Sequence, residues 1–125
     1  MSEQFNLARL SLRDVVIPSG QSLSAPVSVG VGCVIWIDTP AGLNCAQLNF
    51  LGGNEVGQPR DLQDPYGNPI ALFTPTRGQR HSLSMHGYSM VGLGSLFVWV
   101  RAVTAGSPVA QAADRVLTIA IWNPY

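Results

Sequence analysis

The sequence contains no lysine and few charged residues of any kind. Its seven basic residues are all arginine, seven residues are acidic, and together they make up 11% of the chain with a formal net charge of zero. An ordinary soluble domain carries about 25% charged residues. Because a nucleic-acid-binding protein needs a basic patch or stripe, this composition argues against a nucleic-acid partner.

Long apolar runs are also absent. Residues 96–100 form one of the longest, and a bilayer-spanning helix needs roughly 20 such residues, so we expect no membrane partner. The first ten residues include Glu3 and no apolar run, which predicts that the chain has no secretory signal. We therefore expect folding in a reducing cytoplasm, with Cys33 and Cys45 as free thiols, although their spacing leaves open whether they are close enough to pair.

The scarcity of charge favours a surface that is covered by protein. Near-zero net charge promotes association. Protein interfaces are depleted of lysine and retain arginine, because the strongly hydrated ammonium group of lysine is disfavoured there. Codon bias in a GC-rich genome is an alternative source of the missing lysine, but it does not explain the low acidic content.

The pattern of turns and apolar residues predicts one all-β domain over residues 1–125. Thirteen glycines and nine prolines are spread along the chain, as expected between many short strands. One helical turn is predicted at residues 109–113, capped by Ser107. The fold class is a single antiparallel β-sandwich or jelly roll of about eight strands. The predicted strands cover residues 10–13, 15–17, 22–29, 33–37, 46–51, 70–73, 80–85, 96–104 and 115–122.

Two of these strands contain a run that is apolar at every position. Residues 33–37 and 96–100 contain no polar side chain, a pattern typical of strands buried on both faces. We expect a second sheet to cover one face, and a loop or a neighbouring subunit to cover the other.

No residue pattern indicates catalysis. His81 and His86 are an odd number of residues apart, so on one strand they would face opposite sides and could not share a metal. Asp61 and Asp64 lie in a glycine-containing loop without a calcium-binding pattern, which favours turn formation. A small hydrolase with either histidine beside a carboxylate remains an alternative hypothesis. We predict that the protein is not an enzyme and has no catalytic, cofactor-binding or metal-binding residues.

Arginine and tryptophan side chains are the candidates for binding. Arg77 and Arg80 belong to the densest positive segment, which either grips a carboxylate-bearing partner or is a solvated turn. Trp36, Trp99 and Trp122 each lie within an apolar run, which favours core or subunit-interface positions over a sugar-stacking platform.

Five segments carry a family resemblance. They are VVIPSGQSLS at residues 15–24, Pro-Ala at 40–41, AQLNF at 46–50, DLQD at 61–64 with a glycine at 67, and PVAQAADRVLTI at 108–119. In this order they closely resemble small β-sandwich virion proteins of tailed bacteriophages, the head decoration or cement proteins. The chain departs from these proteins at residues 101–104, which continue as a strand where the family often has an Arg-Ser-Gly turn.

The resemblance implies a structural virion protein on the capsid exterior, made in the host bacterial cytoplasm. It would bind the major capsid protein lattice, stabilise the head and form a homo-oligomer, with a trimer favoured. The alternative is a β-sandwich protein of a tail or fibre, such as a carbohydrate-binding module. The resemblance does not separate head from tail.

The chain ends are candidates for contacting neighbours. Residues 1–13 interleave apolar residues with arginines, which fits either an extended arm lying on a neighbour or an ordinary first strand. Residues 123–125 form a short tail. The predicted protein-interface residues are Phe5, Leu7, Arg9, Leu10, Leu12, Arg13, Arg77, Arg80 and Tyr125.

Overall fold

The computed structural model describes residues 10–30, 32–63, 66–67, 70–73, 77–83 and 95–123. These residues form ten antiparallel strands, which confirms the predicted all-β class. Within them, no helix has the length and apolar character needed to cross a membrane. The strands are β1 (Leu10–Ile17), β2 (Val27–Ser28), β3 (Cys33–Asp38), β4 (Gln47–Gly53), β5 (Arg60–Asp61), β6 (Ala71–Phe73), β7 (Arg80–Ser82), β8 (Phe97–Thr104), β9 (Ser107–Pro108) and β10 (Arg115–Trp122).

Two sheets make up the fold. The four-stranded sheet has the order β1-β10-β3-β7, and β1 pairs with β10 along its whole length. The six-stranded sheet has the order β2-β8-β4-β5, with β6 added to β4 and β9 added to β8. Of the three longest strands, β8 and β10 lie inside the sheets and β1 lies at an edge, while short strands form the other edges.

The core lies between the two sheets. Alternation with a period of two puts one side of each strand inward, so Leu117 and Ile119 of β10 contact the core while Val116 and Thr118 point outward. The buried core residues are Val15, Ile17, Val27, Val29, Val34, Ile37, Leu43, Leu48, Phe50, Leu83, Val98, Val100, Ala102, Leu117, Ile119 and Ile121.

Burial on both faces is confirmed for β8 and only in part for β3. Val98, Trp99 and Val100 are all buried. In β3 the middle residues Ile35 and Trp36 are only half-buried. The register between β10 and β3 shifts at this point, leaving Ile35 as the extra residue of a bulge, which explains the break in alternation.

The predicted helical turn at residues 109–113 is wrong. Residues 107 and 108 form β9 instead of a helix cap. The N–H of Val109 donates to the carbonyl of Ala102 at 2.9 Å, and the N–H of Gln111 donates to Gln21 at 3.0 Å. Because these donors bind distant carbonyls, they are not available for a helix.

The predicted strand at residues 22–29 is shorter in the structure. Only Val27–Ser28 forms β2, and Leu23 makes an isolated bridge to Arg101. Pro26 has no N–H to donate to a ladder, which separates these two pairings.

Candidate docking face

On the outer face of the six-stranded sheet, the apolar side chains of β4 and β8 are buried. Leu51, Trp99 and Val103 alternate with core residues along β4 and β8 and therefore lie on the side away from the core. They are nevertheless 4%, 2% and 3% exposed. The ring of Phe97 lies 6.3 Å from that of Trp99, centroid to centroid. This face therefore offers little apolar surface to a partner.

The outer face of the four-stranded sheet is open. Leu12 of β1 is 57% exposed and Val116 of β10 is 48% exposed, while Leu10, Val16 and Trp122 are half-buried. Exposed apolar side chains grouped on one face of a small protein mark an interaction site more often than single scattered ones do. We call this surface the docking face, and its residues are Leu10, Leu12, Asp14, Val16, Trp36, Asp38, Arg80, Ser82, Val116, Thr118, Ala120 and Trp122.

Strand register arranges the docking face in rows. Leu12 lies opposite Ala120, and Ala120 lies opposite Trp36, so a small residue separates two large ones. Val16 lies opposite Val116 in another apolar row. Cross-strand neighbours of this kind contact one another on one face of the sheet. The apolar surface thus crosses strands instead of following one strand.

A polar row lies between these apolar rows. It consists of one residue from each strand, in the order Asp14 of β1, Thr118 of β10, Asp38 of β3 and Arg80 of β7. Thr118 Oγ1 donates to Asp14 Oδ1 at 3.2 Å. Arg80 Nε and Nη2 donate to the two oxygens of Asp38 at 2.8 and 3.0 Å. Asp38 and Arg80 therefore form an ion pair within the chain, whereas Asp14 accepts a hydrogen bond from a hydroxyl group.

Arg80 also stacks on Trp36. Its guanidinium carbon lies 3.7 Å from the centre of the Trp36 ring, a cation–π contact. The hydrogen bond to Asp38 raises the pKa of Arg80 above its ordinary value. Because Asp38 already occupies the guanidinium fork, a partner carboxylate could bind Arg80 in the same way only by displacing it.

The structure brings together three of the predicted interface residues. Leu10, Leu12 and Arg80 lie on the docking face. Arg13 is exposed, but as the residue between two outward-facing positions of β1 it points to the other side of the sheet. Arg77 is exposed in the turn before β7. Residues 10–13 form the start of β1, as the first-strand interpretation expects. Phe5, Leu7, Arg9 and Tyr125 lie outside the described residues.

Sequence reasoning missed Val116 and Asp38 as members of this face, and it left Trp36 between a core and a subunit-interface position. The alternation of β10 was visible, with Val116, Thr118, Ala120 and Trp122 on one side. Both sides of β10 are mostly apolar, so alternation alone did not tell which side faces the core.

The described residues show no cluster suited to metal binding. No group of three His, Cys, Asp or Glu residues within the described ranges could hold a metal ion. His81 is half-buried on β7, and His86 lies outside the described residues. Asp114 accepts a hydrogen bond from the Ser19 N–H at 2.8 Å, which fixes a turn.

Two shallow clefts lie at the surface of the described chain. One of about 440 Å³ is lined by Asp38, Thr39, Gly78, Gln79 and Arg80. The other, of about 320 Å³, is lined by loop residues around Glu55. Neither lining includes a histidine, so neither cleft supplies the histidine that the hydrolase hypothesis places beside a carboxylate.

Both thiols are free and shielded from solvent. Cys33 is buried and Cys45 half-buried. Burial raises the pKa of both thiols above the ordinary value, so little reactive thiolate forms near neutral pH.

Comparison of the chain with protein-family models, curated proteins and solved structures finds no match.

Proposed function

We propose that this protein is a structural virion protein that decorates the capsid of a tailed bacteriophage, with the docking face against the major capsid protein lattice. Support comes from the sequence resemblance, with which the two-sheet antiparallel fold agrees. In this role it acts without catalysis and stabilises the head from the capsid exterior.

The observation that carries the proposal is the contrast between the two outer faces. One sheet buries its outward-facing Trp99, while the other leaves Leu12 and Val116 about half exposed. Fully burying a leucine or valine is worth about 1.5–3 kcal/mol, so covering the remaining half of each gives roughly 1 kcal/mol per side chain. Within the polar row Asp38 and Arg80 form an ion pair, so covering this face does not leave those two charges buried without a partner.

Small contact energies suffice on a lattice. Contacts repeated across one bridging oligomer gain strength through effective concentration. A protein that binds only the assembled shell stabilises that shell by mass action.

Shells prepared without the protein test the proposal. Adding the wild-type protein should raise the temperature at which such shells lose integrity, measured by release of packaged DNA. Val116→Lys should bind shells at least tenfold more weakly, since a charge replaces an apolar contact. Val56→Lys is the matched control, because Val56 is 56% exposed and lies in a loop away from the docking face.

Two results would contradict the proposal. One is equal heat resistance of shells with and without bound protein, and the other is an equal loss of binding for both lysine variants. Binding to host-surface glycans that disappears in Trp36→Ala, without any shell binding, would support the tail or fibre alternative instead.

A further inference from the structure

One edge of the four-stranded sheet carries unpaired backbone groups. β1 is the terminal strand of that sheet. Along an antiparallel strand, successive residues direct their N–H and C=O groups alternately to the two sides. The carbonyl of Val16 accepts a hydrogen bond from Ala25 N–H at 3.1 Å, so the backbone N–H and C=O groups of Val16 are directed away from β10.

The same alternation directs the backbone groups of Leu10, Leu12 and Asp14 away from β10, to the free side of β1. Among the described residues, no backbone group bonds to them there. Leu12, Arg13 and Asp14 are also exposed, so solvent reaches this part of the strand. The other terminal strands of the two sheets have only two or three described residues each. The edge at residues 10–14 is therefore the longest free edge in the described chain.

We propose that this edge pairs with the same edge of a second copy, joining two four-stranded sheets into one continuous sheet. An exposed row of N–H and C=O groups is complementary to another extended strand. The chain has no net charge to oppose self-association. This inference does not depend on the proposed capsid role.

Repulsion between like charges excludes some registers for the two paired β1 strands. Placing Arg13 opposite Arg13 of the second copy, or Asp14 opposite its counterpart, is destabilising. Placing Leu12 opposite Leu12 of the second copy avoids both and pairs Leu10 with Asp14. In this register all three free residues exchange backbone hydrogen bonds.

The pair has a two-fold axis perpendicular to the sheet, an isologous arrangement. Both docking faces then lie on the same side. Two copies would present a surface twice as wide to one partner, with the two Leu12 side chains at its centre. This symmetry differs from the trimer that the family resemblance implies.

Disulfide formation between cysteines introduced into the two copies tests the proposed register of the paired β1 strands. Directly opposed, hydrogen-bonded residues have Cα atoms about 5.5 Å apart, within the disulfide range. Leu12→Cys in a Cys45→Ser background should form a covalent dimer under mild oxidation. Val116→Cys in the same background is the control, because at least three strand spacings of about 4.8 Å separate the two copies of that residue. Cross-linking of Val116→Cys but not Leu12→Cys would overturn the proposal.

Light scattering after gel filtration, over a wide range of protein concentration, measures the association itself. The wild-type protein should approach the mass of a dimer. Leu12→Pro should stay monomeric, since it removes an N–H that β1 does not use inside the chain and proline is tolerated on an edge. Leu12→Lys should weaken dimerisation at least tenfold while circular dichroism remains unchanged, and it covers the case in which the proline variant fails to fold.

The remaining outcomes are decisive as well. A trimer or a monomer for the wild-type protein, or a dimer that survives in folded Leu12→Lys, refutes edge pairing. Val116→Lys should remain dimeric, so a failure of shell binding and a failure of dimerisation are measured by different variants.

Discussion

Gln111 is the buried polar residue on which the loop before β10 depends. Its side chain is almost fully buried, with 2% exposure. Its Nε2 donates to the carbonyl of Asn44 at 2.8 Å and to that of Val109 at 3.3 Å. Its Oε1 accepts from the Asn44 N–H at 3.0 Å and from Arg115 Nε at 3.3 Å. One side chain thus ties together two loops and the start of β10.

Gln111→Leu keeps the approximate volume and removes all four bonds. The two short bonds to Asn44 should cost about 1 to 1.5 kcal/mol each, and the two longer bonds less, giving about 3 kcal/mol in total. For a domain of this size 1 kcal/mol shifts Tm by about 4 °C, so we expect a fall of about 12 °C.

Urea unfolding followed by tryptophan fluorescence measures the free energy, and calorimetry measures Tm. Gln58→Leu is the matched control, because Gln58 is exposed and a surface substitution should change stability by no more than about 0.5 kcal/mol. A loss below about 1 kcal/mol for Gln111→Leu would show that the network does not stabilise this loop.

Three further predictions concern a turn, a close contact and the thiols. Ala105 has a positive φ of 52° in the two-residue turn between β8 and β9, so Ala105→Asn should raise stability by about 0.5–1 kcal/mol in thermal unfolding, and no gain would mean that the turn is not strained. A Cβ at Gly53 would lie 2.7 Å from a backbone carbonyl, so Gly53→Ala should cost about 1–3 kcal/mol, whereas Gly57→Ala, with nothing within 4 Å, should not. Burial raises the pKa of Cys33, so its stabilising contribution is complete below the ordinary thiol pKa of 9.0 and is lost as the pH rises above that value. Stability measured against pH should therefore fall less steeply in Cys33→Ala above about pH 9, and parallel curves would contradict this assignment.

The fold class could be predicted because its signals are local. Alternation in residues 46–51 and 115–122 matches β4 and β10 closely, since a strand with one buried face needs a period of two. The strand at residues 96–104 was also correctly extended through Arg101. Scarce charge favours a surface covered by protein, which stays a prediction, and it does not say where such a surface lies.

The docking face and the free edge were decided by the tertiary structure. Whether Val116 or Leu117 faces the core depends on which strands pack across from β10, and that choice involves residues far apart in sequence. The ion pair between Arg80 and Asp38 joins residues 42 positions apart, so it could not be read from local sequence. The Arg80 guanidinium, which the sequence offered as a binding group for a partner carboxylate, is therefore already partly occupied by Asp38. The helical turn predicted at residues 109–113 was wrong for the same reason, since the N–H groups of Val109 and Gln111 bind the carbonyls of Ala102 and Gln21, both outside that segment. The sequence alone determined period, turns and composition, whereas packing between distant strands determined which apolar surface remains open.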